Sequence, residues 1–237
     1  MRDISEVLKE NKYPGRGIII GLEPDGKNMV AYYFLTGRSE GSQNRMFVET
    51  DGGIEIRPID PSLEKGDPSL LIYSPIKTFF KKLEERIIVS NGSHTDIIYD
   101  NADKQKPFRE ALEQFEFEPD GPIYTPRIAA LISIYSSFRR LELGIVKSKD
   151  QQGRECVREY YQHESKLGHG YYISTYEGNG NPPAIFNSEP VLVEIEPDYK
   201  AMTQKIFDSL DPEYRVAACM HSVNMFNKQT ATVIINK

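Results

Sequence analysis

Short apolar runs separated by glycine, proline and aspartate dominate the hydrophobic pattern of the chain, which is typical of β-strands joined by tight turns. Residues 17–22 and 29–36 flank the turn sequence Pro24-Asp25-Gly26-Lys27-Asn28 and predict a β-hairpin. Residues 45–50 and 54–58 predict a second hairpin around Asp51-Gly52-Gly53. Further strands are predicted for residues 69–74, 86–90, 157–162, 171–176, 191–195, 215–220 and 230–235.

Four segments carry the spacing of an amphipathic helix; in the last of them Met202, Ile206 and Leu210 recur at intervals of four. Residues 126–147 are ambiguous, because their first apolar residues alternate as in a strand whereas Thr125-Pro126 is a sequence that can open a helix. Hairpins with helices that do not alternate strictly with them predict an α+β fold in which helices cover antiparallel sheets. The helices are predicted for residues 3–10, 95–102, 108–115 and 199–210.

Composition and charge narrow the classes of function. The 237 residues contain no repeat and no linker-like tract, which predicts one domain over residues 1–237. There are 29 Lys and Arg against 35 Asp and Glu, and this net charge of −6 argues against a nucleic-acid or membrane partner bound through bulk charge. The first ten residues carry charges where a signal peptide needs an apolar stretch, and two cysteines are too few for a disulfide framework. We therefore expect a cytoplasmic protein.

Two clusters with arginines adjoin the first predicted hairpin. The sequence Tyr13-Pro14-Gly15-Arg16-Gly17 sets one arginine between glycines, and residues 37–45 place Arg38 and Arg45 around Ser, Gln and Asn. A guanidinium offers a planar fork to phosphate or carboxylate, and glycine removes side-chain bulk near it. Taken alone, the first cluster is better explained as a turn with a surface arginine. The second is explained equally well as a solvated hairpin tip.

Two further polar clusters follow apolar runs. In Ser90-Asn91-Gly92-Ser93-His94-Thr95-Asp96, Ser93 is a candidate helix cap, and His94 is expected to be exposed and to titrate near neutral pH. Residues 115–127 combine three carboxylates with Tyr, Thr and Arg in a segment stiffened by three prolines. Such a loop can present an acid or a base near a cation, although a plain proline-rich connection has the same composition. The motifs of zinc proteases, P-loop enzymes, serine hydrolases and dinucleotide dehydrogenases do not occur.

Taken in order, the motifs YPGRG, GRS with SQNR, DPSLLIY, SNGSHTDII and EPDGPIYTPRIAALI resemble the archaeal-type inosine monophosphate (IMP) cyclohydrolase family. The resemblance covers residues 13–147 and continues more weakly through 168–171 and 175–182. It implies closure of the second purine ring of a formamido-imidazole-carboxamide ribonucleotide, with loss of water and without a metal or redox cofactor. It also implies a four-layer α/β/β/α sandwich like that of the N-terminal nucleophile hydrolases. Arg2 follows Met1, so we expect that fold without its terminal nucleophile.

The resemblance also implies the residues of the site. Tyr73 matches the family's active-site tyrosine and would polarise the formyl oxygen or relay a proton. A carboxylate between Glu118 and Asp120 would orient or deprotonate the carboxamide, with Glu118 the first choice and Asp120 the reserve. Arg16, Arg38 and Arg45 would line the ligand site, and at least one of them would hold the 5′-phosphate. The pocket around base and ribose would be completed by Asn91, Thr95, Asp96, Tyr124, Thr125 and Arg127.

The leading hypothesis is therefore a cyclohydrolase whose partner is a small purine nucleotide. One alternative is an amidohydrolase of the same fold that acts on another amide, which would need a usable terminal nucleophile that Arg2 does not supply unless cleavage exposes Ser5 or another residue. Another is a nucleotide-binding protein that has lost turnover, for which a disabled residue would be expected at position 73 or 118. The sequence leaves open whether the chain forms a homo-oligomer.

Overall fold

Antiparallel strands form the framework of the protein in a computed structural model, which describes residues 1–63, 72–82, 84–150 and 152–237. Within those residues the larger of two main sheets has seven strands and the smaller has six. Helices lie before and between the strands rather than alternating with them. The predicted α+β class is therefore confirmed, and so are both predicted hairpins.

The six-stranded sheet places the first hairpin at its centre, and all its pairings are antiparallel. A separate two-stranded ribbon joins β11 (Tyr176–Glu177) to β12 (Ala184–Ile185). The order of strands across the six-stranded sheet is β13 (Val191–Glu194), β10 (His169–Ser174), β1 (Arg16–Leu22), β2 (Asn28–Thr36), β14 (Arg215–Asn224) and β15 (Thr230–Asn236).

The seven-stranded sheet follows chain order, so each strand pairs with the next along the sequence. Its strands are β3 (Arg45–Thr50), β4 (Gly53–Pro58), β5 (Ile76–Phe80), β6 (Glu84–Ser90), β7 (Arg127–Tyr135), β8 (Arg139–Ser148) and β9 (Cys156–Glu164). The helices are α1 (Ile4–Glu10), α2 (Glu40–Gln43), α3 (His94–Asp103), α4 (Phe108–Leu112) and α5 (Tyr199–Ser209), with a short 3₁₀ turn at Pro61–Leu63.

Three apolar clusters show how these elements pack. Alternate side chains of β1 and β2, such as Ile20 and Tyr33, pack between the two sheets against residues such as Ile132. The residues of β1 and β2 that point to the opposite face pack with α1 and α5. Residues on the outer face of the seven-stranded sheet pack with α3 and α4. Because successive strand residues point to opposite faces, strands covered on both faces are apolar at nearly every position. This explains why β1 and β2 read as continuous apolar runs.

Several local predictions differ from the structure. Residues 126–147 form β7 and β8, so the strand alternative is correct, and β5 was not predicted. Of the strand predicted at 69–74, the first three residues lie outside the described residues and the last three form no strand. Ser93 precedes α3, but its side chain makes no capping hydrogen bond.

Among the described residues, no helix has the length and apolar character needed to cross a membrane.

Candidate active site

Arg16 stands at the first position of β1, where a glycine allows two loops to meet. Gly15 has a φ of +72°, and a Cβ on it would lie 2.1 Å from Thr175 Oγ1. The Arg16 backbone N–H donates to that same hydroxyl at 3.0 Å. Only glycine fits this position without strain, so YPGRG fixes where the Arg16 side chain enters the protein.

Arg45 opens β3 and lies still deeper, with 2% of its surface exposed. The short helix α2 turns the chain so that Arg45 Nε donates to the Ser42 carbonyl at 2.9 Å. Its Nη1 and Nη2 have no hydrogen-bond partner among the described residues. Burial, reinforced by the neighbouring Arg16, lowers the pKa of Arg45 to about 10.

Arg16 and Arg45 therefore form a buried positive centre. Arg16 is 8% exposed, and its Nε also lacks a partner among the described residues. Burial opposes its charge, but the nearby Tyr73 and Glu118 outweigh that effect and raise the pKa of Arg16. Two adjacent cations with unused donors are unfavourable by themselves, whereas a bound anion would satisfy both charge and donors.

Tyr73 lies beside this centre, in the segment next to β4 of the seven-stranded sheet. Its hydroxyl lies 2.7 Å from the Tyr33 hydroxyl, and its carbonyl accepts a hydrogen bond from the β4 residue Ile56 at 2.9 Å. Tyr73 is 7% exposed and Tyr33 is fully buried. Burial, with Tyr73 adding to it, raises the pKa of Tyr33 well above the ordinary value. A phenolic hydroxyl is thus held beside two guanidinium groups.

Glu118 is a buried carboxylate whose surroundings compete. Its Oε1 lies 3.1 Å from Arg127 Nη1, and both side chains are nearly enclosed. Burial raises the pKa of Glu118, while Arg16 and Arg127 act in the opposite direction. Burial and the two arginines thus shift the pKa of Glu118 in opposite directions. Such a carboxyl group suits the uptake and release of a proton in acid–base catalysis.

Asp120, by contrast, is committed to hydrogen bonds. Its Oδ1 accepts from the Thr125 backbone N–H at 2.7 Å, and its Oδ2 accepts from the Thr125 hydroxyl. That hydroxyl also lies 2.6 Å from the Tyr176 hydroxyl. The Asp120–Thr125–Tyr176 chain fixes the loop that carries Glu118, because the Glu118 N–H donates to the Thr125 carbonyl. The geometry favours Glu118 over Asp120 for proton transfer.

Gly92 makes room for Arg127. A Cβ at Gly92 would lie 2.0 Å from Arg127 Nη1 and 3.1 Å from His94 Nδ1. Asn91 holds the same segment, because its side chain donates to the Pro126 carbonyl and accepts from the Ile128 N–H, each at 2.8 Å. Asn91 thus positions Arg127.

His94 differs from its prediction. It is 2% exposed, and its Nε2 donates to the Ile128 carbonyl at 3.2 Å. Burial, reinforced by Arg127, lowers the pKa of His94 to about 3, so the ring is neutral at physiological pH. The expectation of an exposed histidine that titrates near neutral pH is therefore wrong.

Three other residues predicted for the site make contacts within the framework. Thr95 donates to the Gly92 carbonyl at the start of α3, and Asp96 is an exposed partner of Lys77. Tyr124 packs edge-on against Phe117. These contacts leave the roles of Thr95, Asp96 and Tyr124 as predictions.

Arg38 packs against aromatic side chains. Its guanidinium carbon lies 4.0 Å from the centre of the Tyr13 ring, and its Nη1 donates to the Gly180 carbonyl at 2.7 Å. Tyr13 in turn stacks on Tyr176 with ring centres 5.8 Å apart. Arg38 therefore links the chain at Gly180 to the stacked rings of Tyr13 and Tyr176.

Comparison with known proteins gives the family. The model of the family described as "IMP cyclohydrolase-like protein" matches residues 13–228. The chain belongs to the IMP cyclohydrolase-like family. A protein of Methanococcus aeolicus named IMP cyclohydrolase is 30% identical over 169 residues, which cover 70% of this chain and 74% of that protein. A protein of the same name from Methanocaldococcus jannaschii is 28% identical over 166 residues, covering 69% and 73% respectively.

These matches confirm the family that the ordered motifs predicted. In this member of the IMP cyclohydrolase-like family, the structure brings Arg16, Arg45, Tyr73, Glu118 and Arg127 together from both sheets and their loops. Sequence reasoning missed Tyr33 and gave Tyr176 no role, although both hydroxyls contact residues of the predicted site. A tyrosine inside an apolar strand signals only core packing until its hydroxyl partner is known.

Proposed function

We propose that this protein is an IMP cyclohydrolase, a hydrolase acting on carbon–nitrogen bonds in cyclic amidines, in purine nucleotide biosynthesis. The observation that carries the proposal is the buried set of Tyr73 and Glu118 flanked by arginines with unused donors. Those arginines suit the phosphate of a nucleotide, and the tyrosine and glutamate suit the movement of protons.

The reaction joins two substituents of one imidazole ring. The carboxamide nitrogen bonds to the formyl carbon and gives up one proton, while the formyl oxygen takes up a proton and becomes a hydroxyl. That hydroxyl then leaves as water with a further proton, and the formamide nitrogen loses its hydrogen as the ring double bond forms. The site must hold both groups in one plane, stabilise the oxygen and move these protons.

The addition of the carboxamide nitrogen to the formyl carbon, with its proton transfers, has residues that suit it. Glu118 would accept the proton of the carboxamide nitrogen, because the carboxylate is enclosed and its only ion-pair partner within the described residues is Arg127. Tyr73 would donate to the formyl oxygen as that oxygen becomes negative. Arg45 would stabilise the same charge, whereas Arg16, the more exposed of the two, would hold the 5′-phosphate.

We propose further that residues 1–237 act as one domain with the α/β/β/α sandwich of the N-terminal nucleophile hydrolases. The shared apolar cluster between the sheets and the helices on their outer faces support this arrangement. The free cysteines Cys156 and Cys219 suit a reducing compartment such as the cytoplasm.

A side chain at position 2 lies too far from Arg16 to serve as the nucleophile of the amidohydrolase alternative. Arg2 forms an isolated β-bridge with Val193 of β13. In the six-stranded sheet, β13 is two strands away from β1. Val193 pairs with Gly170 of β10, and Gly170 pairs with Gly21 of β1. Gly21 lies at the opposite end of β1 from Arg16. At about 3.3 Å per residue, that is about 17 Å along the strand, beyond the reach of a side chain at position 2.

The first prediction is turnover itself. The purified protein should convert the formamido-imidazole ribonucleotide to a hypoxanthine nucleotide at the same rate with and without a chelator, because the proposed residues move protons without a metal. An ultraviolet progress curve measures this. Loss of activity on chelation would contradict the metal-free mechanism, and tight nucleotide binding without turnover would favour the alternative of a binding protein.

A second prediction separates Arg16 from Arg38. Arg16→Ala should weaken nucleotide affinity by roughly 1.5–3 kcal/mol and affect the dephosphorylated nucleoside less, because a charge-assisted bond to phosphate is lost. Arg38→Ala should affect nucleotide and nucleoside equally, since Arg38 is already held by Gly180 and Tyr13. Calorimetry with both ligands checks this, and equal losses for Arg16→Ala would place the phosphate elsewhere.

A third prediction uses Gly92. Gly92→Ala should displace the flexible end of Arg127 and lower kcat roughly ten- to a hundred-fold, and it should also lower Tm because the Arg127–Glu118 ion pair is weakened. Because Arg127 lowers the pKa of Glu118, its displacement should move the acid limb of the pH–rate profile to higher pH. Gly52→Ala is the matched control, since an added Cβ there meets no atom within 4 Å. An unchanged acid limb in Gly92→Ala would mean that Arg127 does not tune Glu118.

A further inference from the structure

The hydroxyl of Tyr33 lies beside Tyr73 in the proposed site, but the proposed mechanism gives it no role. Tyr33 belongs to β2, has no exposed surface, and packs its ring against Phe47 with centres 5.8 Å apart. Its hydroxyl lies 2.7 Å from the Tyr73 hydroxyl. The two oxygens share one hydrogen bond, so one hydroxyl donates and the other accepts.

The surroundings decide which one donates. The charged groups that face the pair are Arg16 from β1 and Arg45 from β3, and a guanidinium can donate but not accept. If Tyr73 donated, the Tyr33 proton would have no acceptor among the described residues. Buried donors without an acceptor are strongly disfavoured. Tyr33 has no exposed surface whereas Tyr73 is 7% exposed, so only the arrangement in which Tyr33 donates leaves the free proton on the hydroxyl that solvent or substrate can reach.

We propose that Tyr33 is a positioning residue for the ring closure, which directs the Tyr73 proton toward the formyl oxygen of the substrate. By donating to the Tyr73 oxygen, Tyr33 also polarises the Tyr73 O–H bond and makes it a better donor. This role rests on the proposed function. It gives the missed tyrosine a part in the chemistry beyond its packing between the sheets.

A purely structural role predicts something different. The Tyr33–Tyr73 contact also joins β2 of one sheet to the segment beside β4 of the other, since the Tyr73 carbonyl accepts from Ile56. A hydroxyl that only ties the sheets together would change Tm when removed. It would change turnover only as far as the fold loosens.

The first test is Tyr33→Phe, which keeps the ring against Phe47 and removes one hydroxyl. We expect kcat to fall about ten- to a hundred-fold with KM within about two-fold, because the bond matters most as charge develops on the formyl oxygen. Tyr32→Phe is the matched control. Tyr32 is the adjacent residue of β2, is equally buried and has no hydroxyl partner among the described residues, but it packs with α5 on the opposite face. Its kcat should stay within about two-fold of the parent.

The second test is a double-mutant cycle. In a Tyr73→Phe background, Tyr33→Phe should cause no further loss of kcat, because there is no Tyr73 proton left to direct. Additive losses, or a Tyr33→Phe loss no larger than that of Tyr32→Phe, would overturn the positioning role while the cyclohydrolase activity of the parent stands. A parent protein without ring-closing activity would overturn the proposed function and this role with it.

Discussion

Glu118→Gln should lower kcat roughly 10²- to 10⁴-fold while the KM for the ribonucleotide changes little. The amide keeps the shape of the carboxylate but cannot accept the proton of the carboxamide nitrogen, and general-base contributions have this size. The side chain is 4% exposed and faces Arg127, so the variant also loses an ion pair. Tm must therefore be measured beside the kinetics.

The same loop supplies two controls for Glu118. Glu116→Gln changes an exposed carboxylate two residues away and should leave kcat unchanged. Asp120→Asn alters the bonds to Thr125 that shape the loop, so it should act mainly through stability and substrate affinity. A nearly silent Glu118→Gln with a crippled but well-folded Asp120→Asn would move the base to Asp120 and leave the reaction in place.

The pH dependence gives an independent signature of Glu118. Burial raises the pKa of this carboxyl above the ordinary range, and the proton acceptor must be ionised. Activity should therefore fall as pH decreases through that raised pKa, which produces an acid limb in the profile of kcat/KM against pH. The residual activity of Glu118→Gln should lack this limb, and a limb that persists unchanged would belong to another group.

Tyr73→Phe should have the second large effect, again roughly 10²- to 10⁴-fold on kcat with KM little changed. Removal of the hydroxyl takes away the donor for the formyl oxygen and leaves the ring in place. Arg45 remains, so some stabilisation of that oxygen persists and activity should not vanish. Steady-state kinetics on protein with an unchanged Tm measures the effect.

Tyr172→Phe is a suitable comparison for Tyr73→Phe. Tyr172 is buried and packs with the α1 and α5 helices away from the site. Near-parental activity in Tyr73→Phe, like that expected of Tyr172→Phe, would make Tyr73 a framework residue and remove the donor from the mechanism.

The fold was largely predictable where local pattern and tertiary packing agree. The turn residues between β1 and β2 and the spacing of Met202 and Ile206 in α5 specify a hairpin and an amphipathic helix locally. Residues 126–147 were ambiguous because β7 is buried by α3 and α4 on one face and by the other sheet on the other, so apolar residues fill both faces. Local alternation cannot reveal such double coverage.

The site was predictable only in part, for a related reason. Arg16 and Glu118 lie in unusual local sequences, but only the resemblance to the family implied their roles, since taken alone the arginine between glycines is better explained as part of a surface turn. Tyr33 and Tyr176 acquire a role only through contacts 40 and 51 residues away along the chain, with Tyr73 and Thr125. Such partners are fixed by how the two sheets and their loops meet, which no local pattern specifies.

The identity of the product tests the central claim most directly. The purified protein should be incubated with the formamido-imidazole-carboxamide ribonucleotide, and the products resolved by mass spectrometry, beside the Glu118→Gln variant. The account predicts a single product lighter than the substrate by one water, formed far more slowly by the variant. Release of formate with formation of the amino-imidazole compound would show amide hydrolysis instead of ring closure, and would contradict the account.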